Sequence, residues 1–250
     1  MRFFALPSAP LRRGAAILVL AILAGCASQP NAHPRDPLEP LNREVYRFND
    51  AVDGAVFKPL AQGYQQVVPA LVRTGVDNFF GNLGDAWSFV NNVLQLKAQP
   101  ALESVVRFSV NTVLGVGGLL DIADEMGIER HRQDFGQTLA HYGVPTGPYV
   151  VLPLLGPSTL RDALVLPIDT RADVVRQLDH IPTRNELYAL RLVDRRSQLL
   201  RVSDVLQEAA LDPYSFTRDA WLQIRDNQAP YRGKGSGSSD GAIENPDEPQ

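Results

Sequence analysis

The stretch that decides the fold is residues 135–162, FGQTLAHYGVPTGPYVVLPLLGPSTLRD. It contains no Asp, Glu, Lys or Arg from Phe135 to Leu160, and four prolines and three glycines lie between Tyr142 and Pro157. Each proline removes a backbone N–H donor and restricts the residue before it, so the pattern excludes a regular helix and a central sheet strand there. Connecting segments are normally polar. This irregular apolar segment therefore predicts contact with a protein core, a ligand channel or lipid.

The first 25 residues have the pattern of a secretory signal. Three arginines precede a short apolar run, GAAILVLAIL at residues 14–23, which is too short to span a bilayer. The run ends at Leu23-Ala24-Gly25-Cys26, the pattern of a bacterial lipoprotein signal. The sequence predicts that cleavage leaves Cys26 as the first residue, carrying the acyl chains.

The alternative is that Cys26 is a free thiol beside an ordinary cleavage site. It is the only cysteine in the chain, so it cannot form an internal disulfide, yet it lies where lipidation requires it. Several acyl chains would anchor the protein durably. An aspartate after the cysteine would indicate retention in the inner membrane, but the residue there is Ala27. We therefore expect the lipid anchor to lie at the periplasmic face of the outer membrane.

The charge balance disfavours polyanionic partners. The leader holds three of the 24 Lys and Arg and no acids, which leaves 21 bases against 28 acids and a net charge of −7. Nucleic acid is disfavoured as a partner, and so is attachment driven by anionic head groups. The remaining length, about 225 residues, is enough for one domain with a core.

Hydrophobic spacing predicts an all-α fold of short amphipathic helices in a single domain. We expect a signal peptide at residues 1–25, a lipidated tether at 26–35, the helical domain at 36–228 and a disordered tail at 229–250, where Gly, Ser, Pro and acids accumulate. Pro59 and Pro69 are predicted to break the early helices. Tyr149 to Leu152 is the only segment with a strand signal.

The predicted helices have identifiable starts. Ala70–Leu83 and Asp85–Lys97 are predicted as two helices with Asp85 as the second N-cap, followed by Ala101–Leu114 after Pro100. In the last of these, the sequence predicts one face made of Leu102, Val105, Val106 and Val113, and an exposed Glu103–Arg107 pair.

Downstream, Ser158 and Thr159 are predicted to cap a short helix at Arg161–Asp162, a pair expected to face water. The capping-box pattern Thr183–Glu186 predicts a long helix to about Ala210. Its heptad-spaced residues are predicted to pack against the body and not to form a coiled coil; they are Leu192, Leu199 and Leu206. Pro213 is predicted to start a final helix reaching Asn227.

The sequence lacks three common catalytic patterns: HExxH, paired CxxC and GxxxxGK[ST]. Gly115, Gly117 and Gly118 resemble a dinucleotide fingerprint only superficially, because Leu120 replaces its third glycine and a helical pattern precedes it. Close helix packing or a hinge explains these glycines better. His141 is interpreted as structural. The chain is predicted not to be an enzyme and to need no cofactor or metal.

Three ordered blocks of residues resemble the MlaA (VacJ) family of outer-membrane lipoproteins. The first block is Asp36-Pro37-Leu38-Glu39, Asn42-Arg43 and Phe48-Asn49; the second is Asn111-Thr112, Leu114-Gly115, Gly117-Gly118, Asp121 and Ala123. The third is the apolar segment, with Phe135-Gly136, Thr138-Leu139, His141-Tyr142-Gly143-Val144, Gly147-Pro148-Tyr149, Leu152-Pro153, Gly156 and Leu160-Arg161-Asp162. Asp212-Pro213-Tyr214 agrees too, so the resemblance covers most of residues 26–227.

This resemblance implies a mostly helical, ring-shaped protein in the inner leaflet of the outer membrane, associated with trimeric porins. It implies that mislocalised phospholipids leave the outer leaflet through a central amphipathic channel and reach a periplasmic carrier, which maintains lipid asymmetry. Phe48 and Asn49 lie where the family has a segment thought to gate lipid entry.

The residues agree with a conduit, because a phospholipid needs an uncharged wall with occasional polar groups. We expect this wall in residues 115–120 and 142–155. The channel candidates are Leu114, Gly115, Gly117, Gly118, Tyr142, Tyr149, Leu152 and Leu154. Backbone hydrogen bonding predicts that the segment faces the lumen or neighbouring helices and not acyl chains.

Two other hypotheses stay open. One is a structural lipoprotein that docks on a porin without conducting lipid. The other is a periplasmic hydrolase that uses His141, for which Ser158 would have to be the nucleophile.

Overall fold

The fold is all-α, as predicted, with one small hairpin. The computed structural model describes residues 33–228, so the predictions on the signal peptide, Cys26 and the tail from residue 229 lie outside the described residues. The helices are α1 (Glu39–Val52), α2 (Lys58–Val67), α3 (Ala70–Leu94), α4 (Ala98–Val113), α5 (Ile122–Glu125), α6 (Phe135–His141), α7 (Leu160–Ala172), α8 (Ile181–Ala209) and α9 (Pro213–Gln228). A π-helical turn (Asp53–Phe57), a 3₁₀ turn (Val174–Gln177) and two antiparallel strands, β1 (Tyr149–Leu152) and β2 (Gly156–Thr159), complete it.

The early helices are more continuous than the sequence predicts. The chain stays helical across Pro59, because a π turn joins α1 to α2 and the proline falls in the first turn of α2. The break is at Pro69, which takes an extended conformation before α3.

The prediction of two helices at residues 70–97 is wrong, because α3 is one helix of 25 residues. Asp85 is not an N-cap. Its side chain is buried and faces two arginines, Arg107 of α4 and Arg130 in the segment between α5 and α6. Burial of this polar side chain against α4 overrides its local preference for a helix start.

Helices α3 and α4 pack with their polar faces inside. The buried residues of α3 are Asn82, Asp85, Ser88, Asn91 and Asn92, and those of α4 include Ser104, Arg107 and Asn111. Exposed apolar residues cover the outside, namely Leu71, Val72, Val90, Val93, Leu94, Leu102, Val106 and Val113. This arrangement is the reverse of a helix pair that faces water.

The predicted Glu103–Arg107 surface pair is wrong for the same reason. Arg107 is buried and its guanidinium binds Asp121, whereas Glu103 contacts His131 and accepts a hydrogen bond from Gln99. The apolar face predicted for α4 is present, but it points outward.

The segment that decides the fold divides into three parts. Asp134 accepts a hydrogen bond from the Gln137 N–H, 2.8 Å, and starts the short helix α6 before the first proline. The chain then runs irregularly to Pro148, and the strand predicted at Tyr149–Leu152 is confirmed. Sequence reasoning missed β2, whose Pro157 is tolerated because each strand of a two-stranded sheet is an edge.

The hairpin base is fixed by buried charges. Arg161 and Asp162 were predicted to face water, which is wrong: both are buried and paired at 2.8 Å. Arg225 of α9 reaches Asp162 at 3.0 Å and Asp134 at 2.7 Å. This network joins the hairpin to α6 and α9. The predicted capping role of Thr159 is confirmed, because its hydroxyl accepts from the Asp162 N–H.

The apolar core is small and lies beside the hairpin. It contains Tyr149, Val151, Tyr214 and Leu222. The Tyr214 hydroxyl donates to the fully buried Asp36 at 2.5 Å, so the start of the domain is tied to α9.

The long helix α8 differs from its prediction at both its start and its outer face. Its N-cap is His180, whose ring nitrogen accepts from the Thr183 N–H, so the capping box predicted at Thr183 is wrong. Leu192 and Leu199 were predicted to pack against the body, but both are exposed.

The final helix begins at Pro213, as predicted. No helix between residues 33 and 228 is long and apolar enough to cross a membrane.

Candidate functional site

The first group of candidate wall residues forms the turn after α4, residues 114–120. Leu114 and Val116 are exposed there, and Val116, Gly117 and Gly118 all have positive φ angles, 54°, 72° and 95°. A β-branched residue at positive φ is strained. The turn therefore holds an apolar surface in a conformation that its neighbours must enforce.

The three glycines of this turn differ in the space that a side chain would have at each position. A Cβ on Gly115 would lie 2.2 Å from the Leu120 carbonyl oxygen, and one on Gly118 would lie 2.7 Å from the Asn82 amide nitrogen. Close packing, one of the two explanations that the sequence suggested, is confirmed at these positions. Gly117 faces open space.

A buried charge cluster supports the turn. Arg107 donates two hydrogen bonds to Asp121, at 2.7 and 2.6 Å, and a third to the Ile128 carbonyl oxygen. Asn111 donates to Asp121 at 2.9 Å and accepts from the Ala123 N–H at 2.9 Å. The segment after the turn is thereby fixed to α4.

The two carboxylates of this cluster are perturbed in opposite directions. Burial raises the pKa of Asp85, against the opposing charges of Arg130 and Arg107. Burial also acts to raise the pKa of Asp121, but the hydrogen bond from Asn111 and the two guanidinium charges outweigh it, so that pKa lies below its usual value. Sequence reasoning missed this cluster; the isolated Arg107 within a largely apolar run was its only signal.

The second group of candidates belongs to the hairpin and the segment before it. Tyr142 is exposed, and its hydroxyl donates to the Leu94 carbonyl oxygen at the end of α3. Leu154, at the hairpin tip, is 55% exposed with φ at +63°, and Leu152 is partly buried. Tyr149 differs from them. It is fully buried against Tyr214, with ring centroids 6.3 Å apart, so it supports the hairpin from the core side.

Of the two gating candidates, Asn49 contacts the hairpin tip. Phe48 is exposed on α1. The Asn49 side chain donates to the Leu152 carbonyl oxygen at 3.0 Å and accepts from the Leu154 N–H at 2.7 Å. The structure therefore brings Asn49 together with two of the wall candidates.

The turn and Tyr142 are both attached to α3. The Asn78 amide donates to the Leu119 carbonyl oxygen of the turn, Gly118 packs against Asn82, and Tyr142 is held at Leu94. The twelve residues from Asn82 to Leu94 correspond to roughly 18 Å along a helix axis. The two groups thus lie along one helix, and no hydrogen bond within residues 33–228 joins them directly.

Further exposed apolar residues extend both groups, and none of them is among the channel candidates named from the sequence. They are Val113, Leu119 and Leu120 around the turn, and Leu96, Val144, Leu155, Leu160 and Leu164 on the hairpin side. Leu119, Leu120, Val144 and Leu155 lie within the predicted wall segments, but the absence of charge there does not indicate which side chains point outward.

His141 has no catalytic geometry. Its ring packs edge-on against Tyr142, with centroids 5.1 Å apart, and the Ser158 hydroxyl bonds to the neighbouring Thr159 carbonyl oxygen. Among the described residues no hydrogen bond joins His141 to Ser158, and no group of three or more His, Cys, Asp or Glu side chains is placed to hold a metal ion.

Comparison with known proteins gives concordant matches. The family model described as MlaA lipoprotein matches residues 34–228. The intermembrane phospholipid transport system lipoprotein MlaA of Shigella flexneri is 36% identical over 222 residues, covering 86% of this chain and 88% of that protein. The protein of the same name from Haemophilus influenzae is 32% identical over 217 residues, covering 83% and 86%.

One solved structure, described as the structural basis for maintenance of bacterial outer membrane lipid asymmetry, also matches. It is 35% identical with a TM-score of 0.69, and the match covers 78% of this chain and 99% of that one.

Proposed function

Because the chain belongs to the MlaA lipoprotein family, we propose that it carries phospholipid out of the outer leaflet of the outer membrane. In this proposal the lipid passes through an amphipathic channel to a periplasmic carrier, and lipid asymmetry is maintained. No bond is made or broken. The observation that carries the proposal is the inverted packing of α3 and α4.

Inverted packing supports a lipid environment. Exposed apolar surface in water costs roughly 25 cal/mol per Å², and water-exposed proteins rarely show large continuous patches of it. Inside hydrocarbon the preference reverses, because buried polar groups must find partners within the protein. Asn91 of α3 follows this logic: it is fully buried, its side-chain oxygen accepts from the Thr138 hydroxyl, and its side-chain nitrogen donates to the Trp87 carbonyl oxygen.

The two wall groups have the chemistry that a phospholipid requires. Leu114 and Val116 on the turn, and Leu154 and Leu155 on the hairpin, offer apolar side chains to acyl tails. Asn49, beside the tip, offers an amide to a head group that passes it. We propose that these residues line the path, and that Tyr149 supports it from the core.

Attachment and direction follow from the rest of the chain. Acyl chains on Cys26 would anchor the domain at the periplasmic face of the outer membrane. A passive conduit has no energy source, so the direction of transfer depends on the acceptor. We propose a trimeric porin as the membrane partner, and the exposed apolar side of α8, with Leu192 and Leu199, supplies a surface for it.

The test places a charge on the path. Leu154→Glu should abolish the ability of the chain to clear phospholipid from the outer leaflet in cells that lack their own family member. Leu211→Glu is the matched control, because Leu211 is fully exposed between α8 and α9 and belongs to neither wall group. Equal activity of the two variants would contradict the assignment of the path.

The alternative functions give different outcomes. A structural lipoprotein that only docks on a porin would retain porin in affinity purification and clear no phospholipid, even as wild type. A hydrolase using His141 would lose activity in His141→Ala, whereas the transport proposal expects that variant to behave as wild type.

A further inference from the structure

Strand β1 has a neighbour on each side, but only one of them is a strand. β2 pairs with it from Tyr149–Thr159 to Leu152–Gly156. The second neighbour is helix α1, which presents the side-chain amides of Asn42 and Asn49 to the β1 backbone.

The two asparagines make the same pair of hydrogen bonds. Asn42 donates to the Tyr149 carbonyl oxygen at 3.0 Å and accepts from the Val151 N–H at 2.9 Å. Asn49 donates to the Leu152 carbonyl oxygen at 3.0 Å and accepts from the Leu154 N–H at 2.7 Å. Each amide thus bonds a carbonyl and the N–H two residues later, as the peptide groups of a neighbouring strand would.

The spacing of the asparagines fits the spacing of the strand. Seven residues of helix advance about 10.5 Å, and three residues of strand, from Tyr149 to Leu152, advance about 10 Å. Two complete helical turns also return the side chain to nearly the same face. Two asparagines seven apart on one helix can therefore reach both the base of the hairpin, at Tyr149, and its tip, at Leu152.

The Asn42 site is held by more hydrogen bonds than the Asn49 site. Asn42 is 2% exposed and donates to Asp36 at 2.8 Å, which in turn binds Tyr214. At the tip, residues 152–156 form hydrogen bonds with a described element outside the hairpin only through Asn49. One of these bonds holds Leu154, whose φ of +63° is strained for a leucine.

We propose that Asn42 takes the place of a neighbouring strand at the base of the hairpin, and that Asn49 is the positioning residue for its apolar tip. Asn42 fixes the position of the hairpin base against α1. Asn49 keeps Leu154 in its strained conformation, with its side chain exposed. The consequence for lipid passage rests on the proposed function, but the consequence for the hairpin does not.

Amide hydrogen exchange of the full-length lipidated protein in mild detergent tests the placement. In Asn49→Ala the exchange rate at Leu154 should rise about tenfold, the scale set by losing half-buried hydrogen bonds, while Val151 changes less than about threefold. Asn49→Asp keeps the acceptor for the Leu154 N–H, so its rate should fall between those of wild type and Asn49→Ala. Asp50→Ala, an exposed neighbour, should match wild type.

Two outcomes would overturn the inference. One is an unchanged Leu154 rate in Asn49→Ala; the other is an equal rise across β1 and α4, which would mean that Asn49 supports the whole fold. Clearance of outer-leaflet phospholipid is then measured on the same variants, and Asn49→Ala should lose it while Asp50→Ala retains it. Failure of wild type in this assay would refute the proposed function and leave the exchange result standing.

Discussion

Arg107 gives the sharpest stability prediction, because one cation serves several buried partners. Its side chain is 1% exposed, and that of Asp121 is 17% exposed. Arg107→Leu fills similar volume but removes both hydrogen bonds to Asp121 and the bond to the Ile128 carbonyl oxygen. It also withdraws a positive charge from Asp85, 3.6 Å away.

The expected loss is large, because breaking a buried ion pair by removing one partner costs about 3–5 kcal/mol. For a domain of this size, that corresponds to a fall in Tm on the order of 10 °C. The turn at residues 114–120 should loosen first, since Asp121 fixes the chain that follows it.

Denaturant unfolding in detergent, followed by tryptophan fluorescence, measures the change. Arg47→Leu is the matched control: the same substitution at a side chain that is 68% exposed and paired only with Glu44 should cost less than about 1 kcal/mol. Adding Asp121→Asn to Arg107→Leu should recover part of the loss, because Asp85 and Asp121 would otherwise share the single guanidinium of Arg130.

An equal loss of unfolding free energy in Arg107→Leu and Arg47→Leu would contradict this prediction. Strict additivity of Arg107→Leu and Asp121→Asn would also contradict it, since residues that bond to each other must couple.

Two further predictions concern other parts of the domain. Gly118→Ala should destabilise the protein by about 1–3 kcal/mol because its Cβ would collide with Asn82, whereas Gly117→Ala, strained only by its positive φ, should cost about 1 kcal/mol in the same unfolding assay. The hydrogen bond from Arg43 holds the pKa of Asp212 below its ordinary value of 3.8, so its stabilisation is complete above that pH and is lost as pH falls through the lower folded-state value. Asp212→Asn should therefore be less stable than wild type at neutral pH, and the difference should shrink in denaturation curves recorded below about pH 3; a constant difference would contradict this.

Sequence patterns predict the helices well where local signals agree with packing. Pro69, Pro213 and Thr159 mark boundaries that the structure confirms, because proline geometry and capping act within a few residues. The all-α class follows from the same signals.

The failures at Asp85 and at Arg161–Asp162 share one physical cause, which is that polar residues are inside. Asp85 reads as a helix start and Arg161–Asp162 as a water-facing pair, yet all three are buried by partners distant in sequence. Periodicity shows which residues share a face, but it does not show whether that face points to water, protein or lipid. The outward apolar faces of α3, α4 and α8 needed the structure.

The two segments of the candidate site can be predicted from the sequence, but their positions relative to the rest of the fold cannot. The missing charge and the density of proline and glycine pointed to residues 115–120 and 142–155. The burial of Tyr149 and the hydrogen bonds from Asn49 to the hairpin tip depend on contacts across about 100 residues of chain, as between Asn49 and Leu152.

The most direct test of the account is native mass spectrometry of the lipidated chain after gentle detergent extraction. The account predicts recurrent bound phospholipid on the wild type and on Leu211→Glu, with clear loss on Leu154→Glu. A wild type that carries no phospholipid, or a Leu154→Glu variant that carries as much as the wild type, would contradict the claim that lipid passes along the turn and the hairpin.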